Sequence, residues 1–307
     1  MMSESPPTQP APPSVTRAGT VAVVGKPNAG KSTLLNRIVG QKLSITSPKP
    51  QSTRTRVVGI HSANGCQMIL TDTPGLLEPR YALQKAMRWT ALEVLRDADV
   101  ILYLSDAAEG APRPLAETAR LDRPPRAPIV TVLNKIDLIP APGRDQLTID
   151  CPLAHQISAR NGEGVARLID DVAARLPESP FLFPEEEIGT QSVRFFVSEL
   201  VRESALEQLD EEVPYSVACE VEEFREERRP LYIRAVIYVE RESQKGILIG
   251  DGGARIREIG RSARLKIEQL VDAPVYLDLW VKVLANWRRN ARSLERFGFT
   301  LPKEERA

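Results

Sequence analysis

The chain has 307 residues, of which 42% are hydrophobic, a length and composition typical of about two domains with ordinary cores. Its 41 basic and 41 acidic residues balance, so the total charge does not indicate a polyanionic partner. No apolar run approaches the roughly 18 residues of a membrane-spanning helix, and three widely separated cysteines argue against a disulfide framework or a zinc site and favour a reducing compartment.

The first 16 residues form a segment of their own. They are rich in proline and serine and contain no lysine, no arginine and no apolar core, which fits neither a signal peptide nor a transit peptide. We therefore expect residues 1–16 to be a disordered tail, with folded structure beginning at Arg17.

Residues 25–32 read G-K-P-N-A-G-K-S and lie between an apolar run at 20–24 and a helix-like run at 33–39. This is the phosphate loop G-x-x-x-x-G-K-[ST] in the strand-loop-helix context that the pattern requires. The loop backbone and the following helix N-terminus are expected to face the phosphates, with Lys31 between them and the Ser32 hydroxyl on Mg²⁺. The predicted nucleotide contacts of this segment are Gly25, Lys26, Pro27, Asn28, Ala29, Gly30, Lys31, Ser32 and Thr33.

A polar segment, residues 47–54, precedes a strand predicted at residues 56–60. A loop between the first helix and the second strand of a phosphate-loop domain can reach back to the γ-phosphate. Thr53 is therefore the candidate switch hydroxyl on Mg²⁺. The alternative is that Ser52 and Thr53 are ordinary loop hydroxyls.

An apolar run that begins at Cys66 ends in the sequence D-T-P-G. A D-x-x-G motif supplies a carboxylate for the Mg²⁺ shell and a glycine N–H close to the γ-phosphate. The motif is weak in isolation, but it gains weight one strand after a complete phosphate loop. Its predicted site residues are Asp72, Thr73, Pro74 and Gly75.

Two continuous apolar runs, at residues 100–104 and 129–133, are expected to be parallel strands buried on both faces. The second run ends in N-K-I-D, and a carboxylate at Asp137 can accept two hydrogen bonds from the N1–H and 2-amino groups of guanine, which adenine lacks. Asn134 and the Lys135 stem are expected to frame the ring. Ser158 and Ala159 follow at the position of the last base-contacting loop.

The four motifs stand in the order found in the translation-factor-related GTPases, which this part of the chain resembles. The resemblance implies a doubly wound α/β domain that binds GTP with Mg²⁺ and alternates between GTP and GDP forms.

Leu76 occupies the position after the D-x-x-G glycine, where many GTPases have a glutamine that orients the attacking water. Together with the P-N-A-G phosphate loop and the S-T-R of the switch, this leucine makes the chain resemble the GTPases that have a hydrophobic residue at the position after the D-x-x-G glycine. In that group an asparagine equivalent to Asn28 helps to hold a K⁺ ion; the alternative is that Asn28 only shapes the loop. The resemblance implies slow hydrolysis stimulated by K⁺ more than by Na⁺, with a catalytic set of Lys31, Thr53, Gly75 and Asn28.

An amphipathic run at residues 165–176 precedes a segment with three prolines and an acidic cluster, which cannot continue a helix. We therefore predict a GTPase domain over residues 17–177, a linker over 178–190 and a second domain over 191–307. The second domain is expected to contain a helix from near Val193, alternating runs at 215–224 and 230–239, a long helix over 254–271, a strand over 275–283 and a short basic helix from Ala285.

Residues 250–253, Gly250, Asp251, Gly252 and Gly253, form a G-x-x-G between an apolar segment and a long basic helix. The order helix, strand, strand, helix, helix, strand fits an α+β KH domain of type II, whose G-x-x-G grips single-stranded nucleotides. Residues 199–227 hold 11 acidic and 2 basic side chains, whereas residues 228–307 hold 17 basic and 10 acidic ones. The candidate phosphate contacts are Lys245, Arg255, Arg257, Arg261 and Arg264, and the alternative for each arginine is a solvated helix face.

Three further segments are distinctive: E-E-V-P-Y-S at 211–216, Y-V-E-R-E-S-Q-K-G at 238–246 and L-W-V-K-V-L-A-N-W at 279–287. With the nucleotide motifs, they make residues 17–299 resemble the bacterial Era-like GTPases with a C-terminal KH domain. The resemblance implies an assembly factor of the small ribosomal subunit that binds the 3′ end of 16S rRNA in a nucleotide-dependent way. It also implies a cytoplasmic monomer with a possible peripheral association with the inner membrane.

The chain departs from the family pattern at two positions. Asp251 stands where the family usually has a lysine, which is expected to lower RNA affinity, and Ser52 replaces a threonine, with little expected effect. One alternative is an RNA-binding scaffold whose nucleotide is structural, which Leu76 keeps open. A tRNA-modification GTPase has the same switch features, but no catalytic cysteine tail or cofactor domain accompanies the motifs.

Overall fold

The computed structural model describes residues 15–227 and 229–302. The tail predicted for residues 1–16 therefore lies outside the described residues, apart from Val15 and Thr16. The Thr16 hydroxyl donates a hydrogen bond to the Ser179 carbonyl over 2.8 Å, so the chain is attached to the fold from this point.

The first domain is a sheet with helices on both faces. Its strands are β1 (Arg17–Gly25), β2 (Val57–Ala63), β3 (Cys66–Asp72), β4 (Val100–Asp106), β5 (Ile129–Asn134) and β6 (His155–Ile157). Its helices are α1 (Lys31–Val39), α2 (Ala82–Asp97), α3 (Leu115–Thr118), α4 (Ala141–Asp150) and α5 (Val165–Arg175).

The strand order is β2-β3-β1-β4-β5-β6, and only the β2–β3 pair is antiparallel. Successive residues of β1 serve opposite faces: Val21 and Val23 pack with α1 and α5, whereas Ala22 and Val24 pack with α2 and α3. Strands buried on both faces are expected to be continuously apolar, as these are. The doubly wound α/β prediction is confirmed, and the carboxyl ends of β1, β3, β5 and β6 meet at one edge, where such folds bind ligands.

The linker runs along the edge of this sheet. Gln67 of β3 accepts hydrogen bonds from the backbone of Leu182 and Phe183, and the Ile60 N–H of β2 donates to the Ile188 carbonyl over 2.9 Å. The prolines prevent a helix, and the backbone groups of the linker instead bond to the first domain.

The second domain has a three-stranded sheet of order β7-β8-β9, with β7 antiparallel to β8 and β8 parallel to β9. Its strands are β7 (Ala218–Arg225), β8 (Leu231–Val239) and β9 (Val275–Val283). Its helices are α6 (Val193–Gln208), α7 (Val213–Ser216), α8 (Glu242–Ile249), α9 (Ala254–Val271) and α10 (Ala291–Arg296). The predicted order of helices and strands is confirmed.

Two local features differ from the prediction. The alternating run expected from Tyr215 becomes a strand only at Ala218, because Pro214 lies in the first turn of the short helix α7, where proline is tolerated. The basic helix expected from Ala285 is a 3₁₀ turn, Trp287–Arg289, followed by α10.

The two faces of the second sheet have different neighbours. Helices α6, α8 and α9 pack on one face, whereas Val236 and Tyr238 on the other face pack with Leu83 and Met87 of α2 and with Trp287. The domains therefore have a shared apolar contact. Among the described residues, no helix is both long and apolar enough to cross a membrane.

Candidate functional site

The phosphate loop lies between β1 and α1, as predicted. Gly30, the residue before α1, has φ +96°, and a Cβ atom there would lie 2.1 Å from the Asn134 side-chain nitrogen. Only glycine fits both requirements. The helix N-terminus therefore opens directly onto the loop, where its free N–H groups can bind an anion.

Lys31 is buried inside the loop, with 6% of its surface exposed. Its ammonium group donates to the carbonyls of Lys26 and Gly25 over 2.9 and 3.3 Å. Burial lowers the pKa of Lys31 to about 8, and Asp72 opposes this shift. A phosphate beside the ammonium would supply the negative charge that the buried cation lacks.

The three predicted Mg²⁺ ligands lie together. The Ser32 hydroxyl is 2.7 Å from Asp72 Oδ2 and 2.8 Å from the Thr53 hydroxyl, which is 3.2 Å from the same carboxylate oxygen. Asp72 Oδ1 is buried without a hydrogen-bond partner among the described residues, and burial raises the pKa of Asp72. These oxygen atoms fit a hard divalent cation such as Mg²⁺, and the orphaned carboxylate oxygen gives it a further ligand.

The D-x-x-G turn places the Leu76 side chain in the core of the first domain. Leu76 is 4% exposed and packs with Val24, Ala91 and Leu95, while its N–H donates to the Gly25 carbonyl over 3.0 Å. The side chain at this position therefore belongs to the core and has no access to an attacking water. Thr73 is also used structurally, since its hydroxyl donates to the Val23 carbonyl.

Asn134 connects two of the predicted loops. Its side chain is buried, its Nδ2 donates to the Ala29 carbonyl over 2.8 Å and its Oδ1 accepts from the Ala159 N–H over 2.9 Å. These contacts hold the phosphate loop against the loop of Ser158 and Ala159. The expected position of Asn134 beside the base stays a prediction. Lys135 follows with φ +70° and forms an ion pair of 2.7 Å with Asp106.

Asp137 lies in the 3₁₀ turn Ile136–Leu138, directly after β5. Its carboxylate is half-buried and has no protein donor in the part of the chain that the structure describes. Two acceptor oxygens therefore remain for a ligand, as a guanine-binding carboxylate requires.

A pocket of about 550 Å³ joins these elements. The predicted residues that line it are Pro27, Asn28, Gly30, Lys31, Ser32, Thr33, Thr53, Gly75 and Lys135. Seven further residues line it: Ile45, Thr46, Ser47, Pro48, Gln51, Ser52 and Arg160. Residues 47–52 belong to the polar segment that was expected to reach the γ-phosphate, and Arg160 directly follows the predicted Ser158 and Ala159. Ile45 and Thr46 lie in no motif.

Asn28 lies at the mouth of this pocket. It has φ +63°, a left-handed conformation that asparagine adopts more readily than most residues. Its Nδ2 donates to the Pro48 carbonyl over 2.9 Å. Asn28 therefore connects the phosphate loop to the switch segment, which we define as residues 47–54.

The G-x-x-G of the second domain joins α8 to α9. Gly250, Gly252 and Gly253 all have positive φ, and a Cβ atom at Gly250 would lie 2.8 Å from the Arg255 Cβ. Asp251 and Gly252 are exposed at the tip of the loop. The backbone is thus open to a ligand strand that approaches the tip.

The five predicted cations have different surroundings. Arg255 and Arg257 donate to the Ile247 and Gly252 carbonyls over 2.7 and 2.8 Å, whereas Arg264 is half-buried and paired with Glu268 over 2.8 Å. Arg261 is exposed and Lys245 is half-buried. Four of the five cations therefore have no carboxylate partner among the described residues, whereas Arg264 forms an ion pair.

This geometry defines a P-loop GTPase joined to a domain of KH topology. A family profile described as a 50S ribosome-binding GTPase matches residues 20–135, and one described as a KH domain matches residues 212–288. GTPase Era of Pseudomonas aeruginosa is 43% identical over 295 residues, which cover 94% of this chain and 96% of that protein. The chain belongs to the GTPase Era family, and it is an enzyme that hydrolyses GTP to GDP and phosphate.

Two solved structures are similar over both domains. An Aquifex aeolicus Era variant bound to GDP and AlF₄⁻ has a TM-score of 0.86 and 41% identity, and it covers 93% of this chain and 100% of its own. A crystal structure of Era with MgGDPNP and nucleotides 1506–1542 of 16S ribosomal RNA has the same TM-score, identity and coverage. Both of these proteins were therefore crystallised with a guanine nucleotide, and the second also with Mg²⁺ and RNA.

Proposed function

We propose that this GTPase acts in assembly of the small ribosomal subunit by binding the 3′ end of 16S rRNA through its KH domain in a nucleotide-dependent way. The observation that carries the proposal is the exposed G-x-x-G loop at the start of the basic helix α9. Support comes from the family, since a similar Era was crystallised with a segment of that RNA.

The loop suits a sugar-phosphate backbone more than a base edge. Arg257 bonds to the Gly252 carbonyl and so holds the loop in shape before a ligand arrives. Lys245, Arg255 and Arg261 supply positive charge without a carboxylate partner among the described residues. Single-stranded nucleotides held in this way leave their bases free to be recognised by neighbouring side chains.

In the nucleotide site, Ser32, Thr53 and Asp72 would hold Mg²⁺, which neutralises charge on the β- and γ-phosphate oxygens when it is bound. Lys31 and the Gly75 N–H would face the γ-phosphate, and Asp137 would select guanine. Leu76 cannot orient water, so we assign the missing positive charge to a K⁺ ion beside Asn28, which gives slow hydrolysis stimulated by K⁺. The Asn28 Nδ2 donates to the Pro48 carbonyl, which leaves the Asn28 Oδ1 as the side-chain oxygen that would bind the ion.

We further propose that the protein acts as a monomer in the cytoplasm. A peripheral contact with the inner membrane is part of the proposal on the strength of the family resemblance alone.

The test is fluorescence anisotropy with a short single-stranded RNA of the 16S 3′-end sequence and a scrambled RNA of the same composition. Each is titrated with protein bound to GDP or to a non-hydrolysable GTP analogue, at two salt concentrations. We expect tighter binding of the 3′-end sequence, most of all with the GTP analogue, and a salt dependence. Equal affinity for both RNAs would contradict the rRNA assignment, and equal affinity in both nucleotide states would contradict the coupling.

A Gly252→Asp variant tests the loop directly, because it adds a second negative charge at the exposed tip and lies outside the residues that line the nucleotide pocket. It should lose RNA binding and retain GTP hydrolysis. Multiple-turnover phosphate release with and without small subunits then separates an active GTPase from a scaffold with a structural nucleotide.

A further inference from the structure

Arg54 connects the two domains. It directly follows Thr53, whose hydroxyl lies among the proposed Mg²⁺ ligands, yet the Arg54 side chain extends into the second domain and is 4% exposed. Its Nη1 donates to the Val217 carbonyl, and its Nη2 donates to the carbonyls of Pro214 and Tyr215 over 3.2 and 3.1 Å. We call these three acceptors the carbonyl cage.

The second domain supports this cage from within. The remaining carbonyl of the turn, that of Ser216, accepts the Trp287 indole N–H over 2.8 Å, and the Arg54 guanidinium lies 5.9 Å from the centre of the Trp287 ring. Burial, together with repulsion from Arg202, lowers the pKa of Arg54 to about 9, so the group remains charged at neutral pH. A buried charge held by several acceptors fixes the position of the chain that carries it, because leaving those acceptors unpaired is costly.

Two more cations hold the same segment. The Lys49 ammonium donates to the Leu206 and Leu209 carbonyls at the C-terminal end of α6, where helix carbonyls lack partners and the dipole is negative. From the opposite direction, Arg202 of α6 donates to the Ser52 carbonyl. The switch segment is therefore bonded to the second domain on both sides of its centre.

We propose that Arg54 is a positioning residue: through its bonds to the docked KH domain it holds the neighbouring Thr53 hydroxyl at the Mg²⁺ site. This inference rests on the proposed role of Thr53 as a Mg²⁺ ligand. Since Thr53 and Arg54 are consecutive, the backbone cannot place the hydroxyl and the guanidinium independently. The switch segment is therefore ordered on the nucleotide in the same state of the molecule in which the second domain is docked.

GTP and GDP are expected to differ in how strongly they favour this docked state. A γ-phosphate with its Mg²⁺ orders a switch hydroxyl, whereas GDP releases it. Docking should consequently raise the affinity for GTP and not that for GDP, and by linkage GTP should strengthen docking by the same factor.

The experiment compares full-length Arg54→Met with the wild type. Affinities for GDP and for a non-hydrolysable GTP analogue are measured over a series of Mg²⁺ concentrations. We expect the variant to lose on the order of tenfold in affinity for the GTP analogue, to require more Mg²⁺ and to bind GDP within about twofold of the wild type. A purely structural role would change both affinities together or neither.

Further variants keep the test decisive if Arg54→Met folds poorly. Lys49→Met removes a partly exposed cation from the same segment and should shift the ratio of affinities in the same direction by a smaller factor. Arg54→Lys should restore part of the loss, because an ammonium group can still donate to the cage. Arg175→Met, which removes a partly exposed arginine paired with Asp171 on α5, is the matched control and should change neither affinity.

Thr53→Ala distinguishes the two levels of the inference. If Thr53→Ala leaves the Mg²⁺ dependence unchanged, the proposed ligand role of Thr53 is wrong. A second outcome is that Thr53→Ala alters the Mg²⁺ dependence, but neither Arg54→Met nor Lys49→Met changes the ratio of the affinities for the two nucleotides. The positioning role of Arg54 is then overturned, whereas the ligand role of Thr53 stands.

Discussion

Lys42 of the first domain and Lys266 of helix α9 donate hydrogen bonds to the same oxygen atom, Oε2 of Glu203, over 2.7 and 3.1 Å. Glu203 lies on α6 and is 1% exposed, so a single buried carboxylate pairs with one lysine of the first domain and one of the second. Because α9 is the helix that follows the G-x-x-G loop, this contact connects the segment after α1 of the nucleotide domain to the proposed RNA-binding helix through a single side chain.

Glu203→Gln is expected to lower the free energy of unfolding by about 1–3 kcal/mol, because a buried amide weakens the charge-assisted bonds from Lys42 and Lys266. Lys266 keeps its pair with Glu207. Lys42→Met should cost less than about 1 kcal/mol, since the Lys42 side chain is half exposed and water already stabilises it. Urea unfolding of the nucleotide-free protein measures both values. A cost for Lys42→Met as large as that for Glu203→Gln would show that the pair, and not the carboxylate, is the stabilising element.

Asp137→Asn should change the base that the protein binds. An amide has one acceptor in place of two, so the variant should lose about 10- to 150-fold in GDP affinity, since each hydrogen bond to a charged group contributes about 1.5–3 kcal/mol. Xanthine has a carbonyl where guanine has its amino group, and the amide introduced by the substitution could donate to it. Titration with GDP and xanthosine diphosphate checks both effects; an unchanged GDP affinity would remove Asp137 from the base site.

Cys219 is predicted to alkylate more slowly than Cys151. It is partly buried, and burial raises its pKa to about 12, so it remains protonated at pH 8 and the thiolate that reacts is scarce. The raised pKa also means that the folded state holds a proton that the unfolded state loses, so this thiol's contribution to stability falls as the pH rises above about 9. Mass spectrometry after timed iodoacetamide treatment should detect Cys151 modified before Cys219, and faster modification of Cys219 would contradict the prediction.

Hydrolysis by the wild-type protein is expected to be faster in KCl than in NaCl at equal ionic strength. Asn28→Ala should abolish the difference between the two salts while leaving GDP affinity within about tenfold, because the loop backbone still binds the phosphates. Phosphate release measured in both salts tests this. Equal wild-type rates would exclude the proposed K⁺ ion, and a K⁺ effect that survives in Asn28→Ala would assign it to another residue.

Asp251→Lys is predicted to strengthen binding of the 16S 3′-end RNA. The exposed carboxylate repels the phosphates, and a lysine in its place adds one phosphate contact, which should steepen the dependence of log K on log salt by about 0.7. Asp251→Asn removes the repulsion without adding a contact, so it should raise affinity and leave the slope unchanged. Anisotropy titrations at three salt concentrations distinguish the two terms, and weaker binding by Asp251→Lys would place the RNA away from the loop tip.

The nucleotide motifs were predictable because each is a short pattern fixed at the carboxyl end of a strand. Ser32 and Asp72 stand 40 residues apart, yet two parallel neighbouring strands bring them to hydrogen-bond distance. The second domain was predictable for a related reason, since its order of elements and the glycines at residues 250–253 are visible in one dimension.

The contacts between the domains could not be predicted. Arg54 is one polar residue in a polar loop, and its acceptors lie 160 to 163 residues away along the chain. The periodicity of apolar residues predicts that one face of a helix or strand is buried, but it does not identify the element that packs on that face. Arg264 is different: Glu268 stands four residues later on the same helix, which is the spacing of an ion pair, and this local signal was available.

The path of the linker sets how far the second domain can travel. The chain is bonded to β2 at Gly189 and again at Gln191, whose side chain accepts from the Val58 N–H over 3.3 Å, and α6 begins at Val193. An extended residue spans about 3.3–3.6 Å, so even when the contacts of the switch segment with the second domain break, Val193 stays within about 14 Å of the backbone anchor at Gly189. The short linker therefore keeps the effective concentration of the second domain at the nucleotide domain high, so that the second domain can dock again rapidly after it separates.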